Sequence, residues 1–103
     1  MTRFALIALV LVCGCRSGPC PADTELRGSR EALQQSCEVQ DSNGRSVKHG
    51  PYFEWYPSGE KSVEGGYREG QPDGRWQYWD ERGRKTMERE YRQGAVVAEK
   101  KLD

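Results

Sequence analysis

Histidine is almost missing from this 103-residue chain, with His49 standing alone, and none of its four cysteines forms a CxxC pair. A zinc site built from thiolates and imidazoles therefore has too few ligands, and no metal or other cofactor is expected. Excess charge of either sign is missing too, because 16 Lys and Arg balance 16 Asp and Glu. No basic stripe results, so nucleic acid has no electrostatic footprint to bind. Basic and acidic residues alternate along the second half of the chain, the pattern of a solvated surface. Beyond Phe4–Val12 there is no long apolar run, and that one is too short to span a bilayer.

What is present is a repeat. Shifted forward by 24 positions, Gly50, Trp55, Gly59, Lys61, Glu64, Tyr67, Arg68 and Gly70 fall on Gly74, Trp79, Gly83, Lys85, Glu88, Tyr91, Arg92 and Gly94. Self-similarity at such a period marks stacked supersecondary units. Within each unit, Pro51–Tyr56 and Arg75–Asp80 are aromatic-rich strands, and Glu60–Tyr67 and Arg84–Tyr91 are their partners across Pro57-Ser58-Gly59 and Glu81-Arg82-Gly83. Gly59 and Gly83 suit the positive φ of tight hairpin loops, and Gly70 and Gly94 close the second strands. The expected fold is all-β: a small antiparallel meander of repeated hairpins with a short disulfide-stapled N-terminal segment.

Alternation places Phe53 with Trp55, and Gln77 with Trp79, on one face, and Tyr52 with Glu54, and Trp76 with Tyr78, on the other. The recurring Trp55 and Trp79 are expected to be packing anchors, together with Gly59, Tyr67, Gly70, Gly83, Tyr91 and Gly94. If the other face is open, Tyr52, Tyr56, Trp76 and Tyr78 are the candidate partner-binding residues, since aromatic side chains dominate binding hot spots. No catalytic residue is assigned. His49 has no partner base or nucleophile in the pattern, and Glu64 and Glu88 recur at the repeat period, beside Lys61 and Lys85, where a unique acid pair would not.

Arg3 and the following apolar run read as a signal peptide over 1–14. Its end, Val12-Cys13-Gly14-Cys15, resembles the lipobox of bacterial lipoproteins, although Cys13 stands where that motif usually has a small or branched residue. The resemblance implies cleavage before Cys15 and acylation of Cys15, hence export and anchoring in a membrane through lipid. Arg16 in place of Asp after the cysteine favours the outer membrane if the cell is Gram-negative. An ordinary cleaved secretory signal is the alternative.

A polar domain of this size seldom holds together without a staple. Cys20 and Cys37 lie outside the signal, and an exported compartment permits their pairing; two free thiols are the duller alternative. A linker is expected over 15–28, a cap with a partial repeat over 29–49, full repeats over 50–73 and 74–97, and a tail over 98–103. Within the cap, Ser29 is a candidate N-cap for a brief helix through Glu31, Ala32, Leu33 and Gln34. Glu38-Val39-Gln40 reads as a strand and Asp41–Gly44 as the turn after it.

The pattern G-x-[YW]-x-x-W-x-x-x-G-x-K-x-x-E-x-x-Y-R-x-G, seen at Gly50–Gly70 and Gly74–Gly94, resembles the MORN repeat in its longer bacterial variant, as in the YwqK family of antitoxin-like proteins. The resemblance covers about half of the chain after the signal. It implies hairpin units without catalytic residues or cofactor, and roles in protein interaction, membrane attachment or toxin neutralisation. The expected function is thus a non-catalytic, membrane-anchored envelope lipoprotein whose repeat domain binds another protein. Neutralisation of a toxin and binding of glycan or peptidoglycan are the alternatives.

Overall fold

A computed structural model describes residues 19–102. They form one antiparallel sheet from β1 (Glu25–Ser29), β2 (Gln34–Gln40), β3 (Ser46–Trp55), β4 (Lys61–Arg68), β5 (Gln71–Pro72), β6 (Gly74–Trp79), β7 (Lys85–Arg92) and β8 (Ala95–Lys101). Strand order is β1-β2-β3-β4-β6-β7-β8, with the two-residue β5 also paired to β4. The expected all-β meander is what the chain adopts. The expected lipidation position, Cys15, lies outside the described residues.

Turn chemistry explains the hairpins. Asp80 Oδ1 accepts the backbone N–H groups of Arg82 (2.9 Å) and Arg84 (3.0 Å), and Asp41 Oδ1 does the same for Asn43 (2.8 Å) and Arg45 (2.9 Å). These are Asx turns, closed by glycine in the left-handed region, Gly83 at φ 85° and Gly44 at φ 82°. The expected helix after Ser29 is not formed. Ser29 Oγ does accept the Ala32 N–H at 3.1 Å, but Leu33 turns back with φ 64° and the chain continues as β2, with Gly28 opposite Gln35. A hydroxyl that caps a helix serves a hairpin turn equally well, and strand pairing decides between them.

The repeat holds at the level of single hydrogen bonds. Gly70 N–H donates to Lys48 O and Gly94 N–H to Pro72 O, at 2.8 and 2.9 Å. His49 Nδ1 accepts the N–H of Glu69 at 3.0 Å, and at the equivalent place Asp73 Oδ1 accepts the N–H of Gln93 at 3.0 Å. Glu69 and Gln93 both have positive φ, 50° and 51°. His49 is therefore a backbone-capping side chain in a repeat position.

One face carries the core. Tyr52 lies opposite Ser36 and Gly65, and Trp76 opposite Arg89, which in turn faces Glu99. Tyr52 and Trp76 are each 5% exposed, with ring centroids 5.5 Å apart. Tyr67 meets both edge-on at 5.4 and 5.2 Å, and Tyr91 meets Trp76 at 5.7 Å. Edge-to-face contact of this kind adds about 0.5–1.5 kcal/mol per pair beyond area burial. Polar ends are satisfied: Trp76 Nε1 donates to Gly66 O at 3.1 Å, while the Tyr52 hydroxyl accepts from Gln34 Nε2 at 2.7 Å and donates to Glu54.

The Cys20–Cys37 disulfide is present, with the two Cα atoms 5.5 Å apart, and Cys37 is fully buried at 2% exposure. It pins the segment ahead of β1 onto β2 and β3, where Pro21 packs on Gly50. Two expected boundaries are corrected. β1 begins inside the stretch read as linker, and β8 runs through the stretch read as a tail, because both gain ladder hydrogen bonds from a neighbouring strand.

Candidate functional site

The second face of the sheet is where unspent aromatics lie. Phe53 and Trp55, two apart on β3, hold near-parallel rings with centroids 5.9 Å apart and an interplanar angle of 24°. Trp79 occupies the equivalent place on β6. All three are half-buried, and among the described residues no second layer of strands or helices covers them.

Bulges organise their surroundings. Glu54 pairs with Val63 but Trp55 with Lys61, so Ser62 is an extra residue in β4; Thr86 is the matching extra residue in β7. A bulge reverses the alternation beyond it. Lys61 and Glu64, three apart, consequently share the ring face and pair at 3.1 Å, and Lys85 and Glu88 do so at 3.0 Å. The hydrogen bond from Lys85 holds the Glu88 carboxyl below its ordinary pKa. Lys61 Nζ stands 5.2 Å from the Phe53 centroid, Lys85 Nζ 5.9 Å from that of Trp79, and the Arg30 guanidinium 5.9 Å from that of Trp55. In register with Phe53 runs a row of polar residues, Gln35 on one side and Glu64, Gln77 and Glu88 on the other.

At the Phe53–Trp55 end the face is concave. A hollow of about 660 Å³ is floored by Phe53, Trp55 and Gln35 and rimmed by Arg30, Pro19 and the Ser58–Lys61 turn. Arg30 Nη2 donates to Gly59 O at 3.2 Å, tying two hairpin loops together across one side. The hollow offers flat apolar rings, an amide, a hydroxyl, a carboxylate and two cations. It brings together no nucleophile with a base, and no group of three or more metal-ligating side chains occurs among the described residues.

The positions singled out from sequence divide differently from what was expected. Tyr52 and Trp76 are the core, closed to any partner by their burial. Tyr56 donates its hydroxyl to Trp79 O at 2.7 Å and is engaged within the chain, while Tyr78 is half-buried on the core side of β6, with the Arg89 guanidinium 5.8 Å from its ring. Trp55 and Trp79, expected as packing anchors, are the half-open rings. Tyr67 and Tyr91 do pack in the core, Gly59 and Gly83 do take positive φ in their loops, and Gly70 and Gly94 do close the second strands. Sequence reading missed Phe53, Arg30 and Gln35 altogether as site residues. Gly65 was the available signal for which face is the core, because a glycine between Tyr52 and Trp76 marks where a ring lies down and leaves Phe53 to the other face.

Compared with family models, curated proteins and solved structures, the chain matches none of them.

Proposed function

We propose that the chain is a non-catalytic binding module of a bacterial cell envelope, held at a membrane by acylation of Cys15 and working by capture of another envelope component. The observation that carries this reading is the half-open row of rings on a one-layer sheet, Phe53, Trp55 and Trp79, each with a cation beside it. Pro19, at the rim of the hollow, follows Cys15 by only four residues. An extended chain of that length reaches roughly 14 Å, so an acylated Cys15 would hold the hollow close to the bilayer surface.

Among the occupants expected from sequence, the ring face itself favours glycan. Cores of protein interfaces are depleted of Lys and Glu, whereas here Lys61, Glu64, Lys85 and Glu88 are interleaved with every ring. Sugars suit such a mixture, because their C–H faces stack on aromatic rings while their hydroxyls take hydrogen bonds from charged and amide groups. A protein partner draws support from a different place. The outer edge of β8 is unpaired among the described residues and shows Val96 and Val97 at 49% and 50% exposure, which suits addition of a partner strand. Toxin neutralisation would use that same edge, and rests otherwise on the MORN-like sequence pattern alone.

The test is co-sedimentation of the full-length protein, solubilised from membranes, with purified sacculi. Retention that Trp55→Ala abolishes supports the glycan reading; no retention above a bovine albumin control, together with one protein cross-linked in cells, would replace it with the protein reading.

A further inference from the structure

The repeat places its two indoles at a fixed interval, and that interval bears on what polymer the face takes. Trp55 and Trp79 occupy equivalent positions on β3 and β6, which are separated by β4 alone. Two strand spacings amount to roughly 10 Å. One β-linked sugar advances its chain by about one strand spacing, so the interval matches two sugars. Each indole has the same flank, with Lys61 or Lys85 directly opposite on the next strand and Glu64 or Glu88 paired to that lysine. Lys61 lies on the strand between the two rings, positioned to meet a sugar bridging them.

We infer that the ring face is a two-subsite platform for a β-1,4-linked polysaccharide, running across the strands with one disaccharide per repeat. The inference rests on the binding reading above and specifies its ligand. Trp55 and Trp79 stack alternate sugars. The hollow beside Trp55 gives the chain an extra contact zone at that end, through Gln35, Arg30 and Glu60. The Trp79 end has no counterpart to Phe53, since Gln77 stands at that position. Binding is therefore expected to be tighter at the Trp55 subsite and to need Trp79 only when the ligand is long enough to reach it.

The experiment is a titration of full-length protein with β-1,4-linked N-acetylglucosamine oligomers, from the disaccharide to the tetrasaccharide, by tryptophan fluorescence and calorimetry. Affinity is expected to rise about tenfold between disaccharide and tetrasaccharide, as expected for one added stacking contact. Trp79→Ala is expected to abolish that step, so that tetrasaccharide and disaccharide bind alike. Trp55→Ala is expected to weaken both ligands by about tenfold. A Trp76→Phe background removes the buried indole from the signal, and its unchanged step would show that the core ring is only structural. Smooth binding without a length step, or a step that survives Trp79→Ala, would overturn the two-subsite geometry while leaving a glycan-binding module in place. Absence of binding to every oligomer and to sacculi alike would overturn both.

Discussion

Trp76 lies flat against Gly65, so closely that a side chain at position 65 would overlap the indole ring. One repeat later the residue is Arg89, where Gly65 stood. Gly65 leaves room for the aromatic of the following unit, and Arg89 fills that room where no such aromatic follows. It pairs with Glu99 at 3.0 Å, donates to the Tyr91 hydroxyl at 3.2 Å and covers Tyr78. The pair ends the aromatic row with charge, which suits the outer part of a sheet better than an exposed ring.

Gly65→Ala is expected to destabilise the fold by about 1–3 kcal/mol through overpacking against Trp76. Arg89→Gly, which restores the repeat residue at the far end, is expected to cost less, since it forces no clash and gives up only the half-exposed contacts to Glu99, Tyr91 and Tyr78. Urea midpoints of the two variants check the order. Equal midpoints would mean that the Gly65–Trp76 contact does not limit stability.

Loss of the Cys20–Cys37 bridge, by Cys37→Ser with Cys20→Ser, is expected to cost about 3 kcal/mol on the chain-entropy view of a loop this long. The pair of substitutions also frees Pro19 from the rim of the hollow. A lower midpoint together with weaker sacculus retention is expected, and a lower midpoint with full retention would show that the rim plays no part in binding.

His49→Ala is expected to destabilise by about 1 kcal/mol, because the Glu69 N–H loses its acceptor. His49→Asp is expected to restore most of that loss, since Asp73 performs the same task one repeat later. Thermal unfolding of both variants decides; equal losses would remove the shared capping role.

Stability is expected to fall at both ends of the pH range for identifiable reasons. Burial, with the hydrogen bond to Glu54, pushes the Tyr52 hydroxyl from 10.0 up to about 12. Its folded pKa is raised, so the contribution is complete below pH 10 and is lost as pH climbs toward 12. At the acid end, backbone N–H groups led by that of Arg84 hold the Asp80 carboxyl below its ordinary value, so its contribution disappears as pH drops through the folded pKa. Tyrosinate absorbance measured beside unfolding curves checks the alkaline arm. In Tyr52→Phe that arm is expected to flatten.

The meander was legible because turn residues and aromatic strands recur at 24 residues, and local chemistry writes both into the chain. The orientation of the sheet was not. Both faces carry aromatics, and identity at the repeat period drew attention to Trp55 and Trp79, while the true core alternates Tyr52 with Trp76. The bulges at Ser62 and Thr86 were equally hidden, since simple alternation puts Lys61 and Glu64 on opposite faces. Ser29 misled for a related reason, its hydroxyl making the same local bond in a turn as in a helix cap.

The most direct test of which face works is photo-cross-linking in living cells, with a photoreactive residue at Gln77 on the ring face or at Val97 on the β8 edge of the full-length protein. The expected result is a muramidase-sensitive smear from position 77 and no discrete adduct from position 97. A single protein band from position 97, with position 77 silent, would contradict the glycan platform and make the β8 edge the binding surface.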